Sequence, residues 1–379
     1  MSDRDQWTIR TVESIGEVDA GAWDACAAPP GRPRNPFLGH AFLHALEASG
    51  SAVPERGWQP FHLLLEDPHG RLAGAVPLYV KGHSRGEYVF DHAWADAFHR
   101  AGGRYYPKLL SAVPFTPVTG PRLLVAAHAG PREAVETRLA EGAVAVAQRT
   151  KVSSLHLNFL PPDQWERLGA AGLLLRTDQQ FHWHNEGYGS FDDFLASLAS
   201  KKRKNLKRER KQALEDDVTV EWVTGDALTE AHWDAFYRFY LDTSARKWGD
   251  PYLTREFFSR IGETMADDVL LILARRGGRW IAGALNLIGS DALYGRNWGC
   301  IEEHRFLHFE ICYYQAVDFA IDRGLARVEA GAQGTHKVAR GYLPERTHSA
   351  HWIAHPGLRE AVADYLEQER SWVAEDMAA

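Results

Sequence analysis

Three cysteines in 379 residues, Cys26, Cys300 and Cys312, are too few and too scattered for a disulfide framework or a four-sulfur zinc site. Cys312 falls in the apolar helical pattern FEICYYQAVDFAI, where a thiol serves as core filler. No apolar stretch approaches the roughly 20 residues a membrane span needs, and the opening MSDRDQWTIR is too polar for a secretory leader. These absences predict a soluble, cytoplasmic chain. The Gly-x-Ser-x-Gly elbow of serine hydrolases is missing as well. Histidine is plentiful, and His182/His184 and His304/His308 have metal-like spacings, but neither pair comes with further ligands at diagnostic distance, so no metal is expected.

Net charge is small, -7, yet it is unevenly spread. Lys201, Lys202, Arg203, Lys204, Lys207, Arg208, Arg210 and Lys211 lie within KKRKNLKRERK, interrupted only by Glu209. The run carries about +7, so the rest of the chain carries about -14. It follows the amphipathic segment SFDDFLASLAS, with Phe191, Phe194, Leu195 and Leu198 at helical spacing behind a Ser190 start signal. One long helix over 190–215 is therefore expected. Eight cations exceed what a helix C-terminus needs, and they suit a polyanion such as a string of phosphates.

A hydrophobic fraction of 45% over this length suits two domains better than one. An internal duplication supports that division. LLLEDPHGRLAGAVPL from Leu63 aligns with LILARRGGRWIAGALNL from Leu271, each an apolar run, a glycine turn and a second apolar run. Each is followed by a strand-like stretch, GEYVF at 86–90 and ALYGRNWG at 292–299, and then by helical sequence. The pattern predicts an α+β protein of two similar domains, 1–165 and 166–379, each with a mostly antiparallel sheet flanked by helices. YYPKLLSAVPFTPVTGPRLL (105–124) holds four prolines and reads as a rigid loop lining a cleft.

GEYVFDHAWADAF, the proline-rich segment, SSLHLNFL, QFHWHN, the cationic run, LYGRNWG, LHFEICYYQAVDFAI and VEAGAQGTHK together resemble the Fem-like branch of the GNAT acyltransferase superfamily, the bacterial group described as peptidoglycan biosynthesis/recognition or predicted N-acyltransferases. The resemblance runs from about residue 35 to 353. It implies tandem GNAT-like domains and transfer of an acyl or aminoacyl group to an amine. Acetyl-CoA-dependent GNAT domains carry a glycine-rich loop whose amides cradle pyrophosphate. The matching stretch here, CIEEHRFLHFEICYYQ, has no such loop and bears Glu302, Glu303 and Glu310. Fem-type transferases use aminoacyl-tRNA as donor, which suits the cationic run. This chain lacks the long helical arm found in some of them.

Aminolysis of an activated ester needs a proton acceptor for the amine and donors for the developing oxyanion. Glu329 ends the apolar strand RVEAG and is followed by Gln333, His336, Lys337 and Arg340 in a glycine-bearing loop. Glu329 and His336 are the expected acid/base groups, with Glu310 at the start of the preceding helix as a third candidate. A structural Glu329–Arg340 ion pair is the plain alternative. Tyr294, Arg296 and Trp298 alternate with small residues, which predicts that all three line one substrate-facing side of a strand. Lys108, Phe115 and His182 complete the expected substrate contacts. The reading is an N-acyltransferase using aminoacyl-tRNA, with tRNA and an amine acceptor as partners. Its alternatives are an acyl-CoA-dependent enzyme and a non-catalytic tRNA- or cell-wall-precursor-binding protein.

Overall fold

The computed structural model describes residues 6–247, 250–331 and 334–378. They form two compact units, one of residues up to 179 together with those from 346 onward, the other of residues 180–345. The crossover falls within the strand Leu174–His184 rather than at 165/166, and the C-terminal segment returns to the first unit. Side-chain contacts explain why. In the helix Pro162–Ala170, Gln164 bonds to Leu123 O and Glu136, and Trp165 Nε1 donates to Ser349 O. Ser349–Ile353 pairs antiparallel with Ser154–Asn158, while Arg176 grips Glu369 of the helix Pro356–Ala378 at 2.7 Å.

In the first unit, His62–Glu66 and Leu72–Val76 form the expected hairpin, bordered by Thr8–Val12 and Leu124–Val125. Leu63, Leu65 and Val76 pack with Leu139 of the helix Arg132–Thr150. GEYVF is not a strand, so the three-stranded meander is not repeated here. Nor is the proline-rich segment a loop throughout. Lys108–Ser111 is a fully buried strand between Tyr79–Lys81 and Ser154–Asn158, starting just after Pro107 and ending before Pro114, where no proline interrupts its ladder.

The same strand turns Lys108 inward. Its Nζ bonds to Glu87, Asp91 and Ser84, all within 2.8 Å, at 0% exposure. Neighbouring Lys81 is also buried, and desolvation pulls it down to about 6, while burial pushes Glu87 up to about 7. Lys108 is thus the fixed cation of an internal network rather than an anchor for substrate. Lys108→Ala, which leaves two buried carboxylates without their partner, should cost about 3–5 kcal/mol in denaturant unfolding. A loss under about 1 kcal/mol would mean that the network contributes little.

The second unit carries the complete meander. Thr219–Thr224, Val269–Arg276, Arg279–Ile288 and Ala292–Cys300 run antiparallel in sequence order. Arg327–Glu329 then joins parallel to Ala292–Tyr294 and antiparallel to His182–His184. On one face, Leu270, Ile272, Ala284 and Leu293 pack against Leu307, Ile311 and Phe319. The helix Glu230–Lys247 covers the opposite face, so closely that a Cβ on Gly299 would meet the Phe239 carbonyl at 2.0 Å. The cationic segment is two helices, Phe191–Ser197 and Ser200–Ala213. Leu198 and Ala199 between them are extended, which lets Leu198 turn into the core instead of continuing the first helix. Among the described residues no helix is long and apolar enough to cross a membrane.

Candidate active site

Two neighbouring strands part company in the second unit. Ala292–Cys300 and Arg327–Glu329 pair over only three residues, up to Tyr294 and Glu329. Just beyond, the ladder to Arg279–Ile288 shifts register: Asn286 faces Gly295, but Leu285 faces Asn297, leaving Arg296 as the extra residue of a β-bulge. A cavity of ≈ 90 Å³ opens at this fork. Its walls include Asn286, Gly295, Trp298, His308, Tyr313 and Ala330. Beside it lies a wider one of ≈ 360 Å³ bordered by Thr243, Glu303 and His304, and the two share Trp298 and His308.

The bulge overturns the expected alternation. With one residue inserted at position 296, Tyr294 shares a face with Leu287, whereas Trp298 shares the opposite face with Ala284. Arg296 and Trp298 line the fork cavity. Tyr294 instead lies buried near Arg327, whose Nη2 is 3.5 Å from its hydroxyl.

Glu329 follows Tyr294. The two are register partners, so its carboxylate is on the Tyr294 face and not in the cavity. Its partner is Arg327, at 3.0 Å, and not Arg340; Arg327 also holds Asp291 at 2.5 Å. Burial raises the Glu329 carboxyl above the usual range while Arg327 opposes that shift. His182 Nε2 lies 4.0 Å from Glu329, bonds to Gln180, and is pushed down to about 3 by burial, so it is neutral at pH 7.

The helix over the fork supplies different groups. It opens as Leu307–Phe309, widens into a π-helical turn over Glu310–Tyr314, and continues as Gln315–Asp322. Such turns displace side chains from ordinary helical positions, and this one brings Cys312 and Tyr313 to the cavity wall. Tyr313 Oη lies 2.9 Å from His336 Nε2. Burial first, then Arg340 and Lys337, lower His336 below its ordinary value, so the imidazole is neutral at pH 7. Burial raises the Tyr313 hydroxyl, which keeps its proton. Lys337, buried and drawn down to about 8 chiefly by desolvation, donates to the carbonyls of Ala330 and Gly331 at 2.8 Å. Gln333 lies outside the described residues.

Glu310 is fully buried, and its oxygens accept from Arg210 and Gln315 at 2.8–3.1 Å. Arg210 also reaches Asp318 at 2.6 Å. Glu310 therefore anchors the cationic helix, and Arg210 is withdrawn from the polyanion set. Glu209 does the same for the loop: it pairs with Arg340 at 2.9 Å, and Arg340 lies 3.4 Å over the Phe309 ring and donates to His336 O. The inner side of Ser200–Ala213 is Leu206, Glu209, Arg210 and Ala213. On the outer side Lys201, Lys204, Arg208 and Lys211, spaced by three, four and three, form an exposed stripe of about 15 Å. Lys207 is exposed beside it, 2.9 Å from Asp192; Lys202 is exposed on the Leu206 side, four residues before it, and Arg203 is half-buried.

Two of the expected substrate residues, Lys108 and Phe115, lie in the first unit, where Phe115 packs on Trp58 with ring centroids 5.1 Å apart. Sequence reasoning missed Tyr313, Asn286 and a non-metal role for His308. For Tyr313, the pair of tyrosines and the lone Glu310 inside the apolar helical pattern FEICYYQAVDFAI were the only available signal. No three His, Cys, Asp or Glu side chains group as a metal site among the described residues.

Residues 14–379 match the family model of FemAB-like proteins, described as peptidoglycan biosynthesis/recognition. The chain belongs to that family. Its mixed α+β architecture is also that of a solved Fem structure. The crystal structure of FemX is similar at 12% identity and a TM-score of 0.56, covering 93% of this chain and 100% of that one. The C-terminal domain of a putative lysylphosphatidylglycerol synthetase from Agrobacterium fabrum aligns at 9% identity and TM-score 0.54 over 94% and 97% of the two chains. L-PGS from Bacillus licheniformis aligns at 7% and 0.52 over 89% and 98%. At such identities the likeness is one of fold. No curated protein matches the sequence significantly.

Proposed function

We propose that the second unit transfers an aminoacyl group from aminoacyl-tRNA to an amine acceptor, with the acyl group seated in the fork cavity. The observation that carries this reading is the construction of the cationic helix: one side is bolted to the cavity-lining elements through Glu310–Arg210 and Glu209–Arg340, and the other presents a stripe of cations to solvent. A donor held by its phosphates on that stripe is placed relative to the cavity by rigid contacts. The segment after the strand Ala292–Cys300 offers no glycine-rich cradle for a pyrophosphate, and its Glu302 is engaged by Arg276 and Arg279.

The acceptor nitrogen attacks the ester carbonyl, forming the C–N bond as the C–O bond to the terminal ribose breaks. The amine gives a proton to Tyr313 Oη as Tyr313 passes its own to His336 Nε2. That proton returns by the same route to the departing ribose oxygen, so the enzyme ends unchanged. Tyr313 and His336 are thus the catalytic pair, and Glu329 and Glu310 hold the frame.

Incubating the protein with labelled aminoacyl-tRNA and with labelled acetyl-CoA, each with a panel of amines, tests the donor. Amide formation is expected from the tRNA ester alone, with affinity that weakens steeply as salt rises. Turnover and micromolar binding of a CoA ester in place of the tRNA would overturn this reading.

A further inference from the structure

We propose that Asn286 selects an aminoacyl over a plain acyl donor, its Oδ1 accepting a hydrogen bond from the donor's α-ammonium group. This rests on the acyl-transfer reading and adds to it the residue that reads the donor's nitrogen.

Asn286 is 1% exposed, two residues before the end of the strand Arg279–Ile288. Its Nδ2 is 3.4 Å from both Leu270 O and Ala284 O. Carbonyl oxygens only accept, so the amide nitrogen belongs on that side and the orientation of the group is fixed. Oδ1 is left buried without a hydrogen-bond partner among the described residues. A polar atom in that condition is uncommon in a folded protein and calls for a cause.

The cause is visible across the ladder. Asn286 faces Gly295, next to the bulge, and both residues line the ≈ 90 Å³ cavity. A Cβ on Gly295 would lie 3.4 Å from Asn286 Oδ1, 3.5 Å from Glu329 O and 3.7 Å from Ala330 Cα. The backbone of Gly295 is not left-handed, so its twist does not demand glycine. What the missing side chain provides is a gap bordered by two oxygen acceptors, at the cavity that Tyr313 also lines. An ammonium carries three N–H donors and suits two acceptors. A methylene there would leave Oδ1 unpaired and exclude the water that could otherwise reach it.

The test compares two acyl groups of one skeleton, alanyl and propionyl, each carried on tRNA and on coenzyme A. Wild type should prefer alanyl by about a hundredfold in kcat/KM, the scale for stranding a buried acceptor. Asn286→Leu should bring the preference within about threefold, by a loss on alanyl and not a gain in melting temperature. Gly295→Ala, which fills the gap and leaves Asn286 in place, should also cut alanyl transfer, and it keeps the test decisive if the leucine variant folds poorly. A wild type that uses propionyl within threefold of alanyl, or an Asn286→Leu variant that keeps the preference, overturns the proposal. Transfer from the CoA esters only would remove the tRNA reading while the alanyl-to-propionyl ratio still decides the role of Asn286. Transfer from neither carrier overturns both.

Discussion

Tyr313→Phe should lower transfer by about a hundredfold or more while leaving the melting temperature nearly unchanged. The hydroxyl is the only atom removed. Tyr313 lines the fork cavity and its hydroxyl bonds to His336, whereas the ring keeps its edge contacts with Tyr342 at 5.5 Å and His308 at 5.5 Å. His336→Ala should have a similar effect on rate, since it removes the far end of the same proton path. The pH profile separates a relay from a packing role. His336 must be neutral to accept a proton, and its pKa lies below the ordinary histidine value, so activity should rise with pH through a pKa under about 6.5 and be level at neutrality. That acidic limb should vanish in His336→Ala. Wild-type rates in both variants would move proton transfer to His308, which borders both cavities. Equal losses of rate and stability would mark Tyr313 as a core residue.

How much of this site was legible beforehand depends on the range over which each feature is encoded. The meander from Val269 to Cys300 could be read because its apolar runs and glycine turns are local, and the cationic helix because its charges are contiguous. Even the single acid in that run had meaning. Glu209 is the position where the helix turns inward to Arg340. The face assignment of Tyr294, Arg296 and Trp298 failed on one inserted residue, because alternation holds only in an unbroken ladder and nothing in LYGRNWG announces the bulge. The Glu329–Arg340 pairing failed for the opposite reason. Arg327 is two residues away on the same face of the same strand, while Arg340 is claimed by a partner 131 residues distant. Pairings across such separations, Arg210 with Glu310 among them, are products of the tertiary fold and leave no local trace. GEYVF shows the limit of duplication as a guide, since one copy of a motif need not keep every strand of the other.

Reversing four charges on the outer stripe, Lys201, Lys204, Arg208 and Lys211 to Glu, should weaken tRNA binding by at least about a hundredfold near 0.1 M salt and leave the fold intact. All four project from the side of Ser200–Ala213 opposite Leu206 and Ala213, so no apolar contact is lost. The salt dependence should change as well. Each phosphate contact releases counterions, so removing four should flatten the slope of log K against log salt by about three to four. Arg210→Glu is the informative contrast. That side chain is the same kind of cation, adjacent to Lys211 in sequence, but it is spent on Glu310 and Asp318, and reversing it would set three carboxylates together in a half-buried pocket. Its cost should therefore appear as lost stability, about 3–5 kcal/mol, and not as a changed salt slope. If the quadruple variant binds with wild-type affinity and an unaltered slope, the stripe is a solvated helix face and the donor is held elsewhere. If Arg210→Glu and the stripe variant behave alike, the division of this helix into a bolted side and a binding side is wrong.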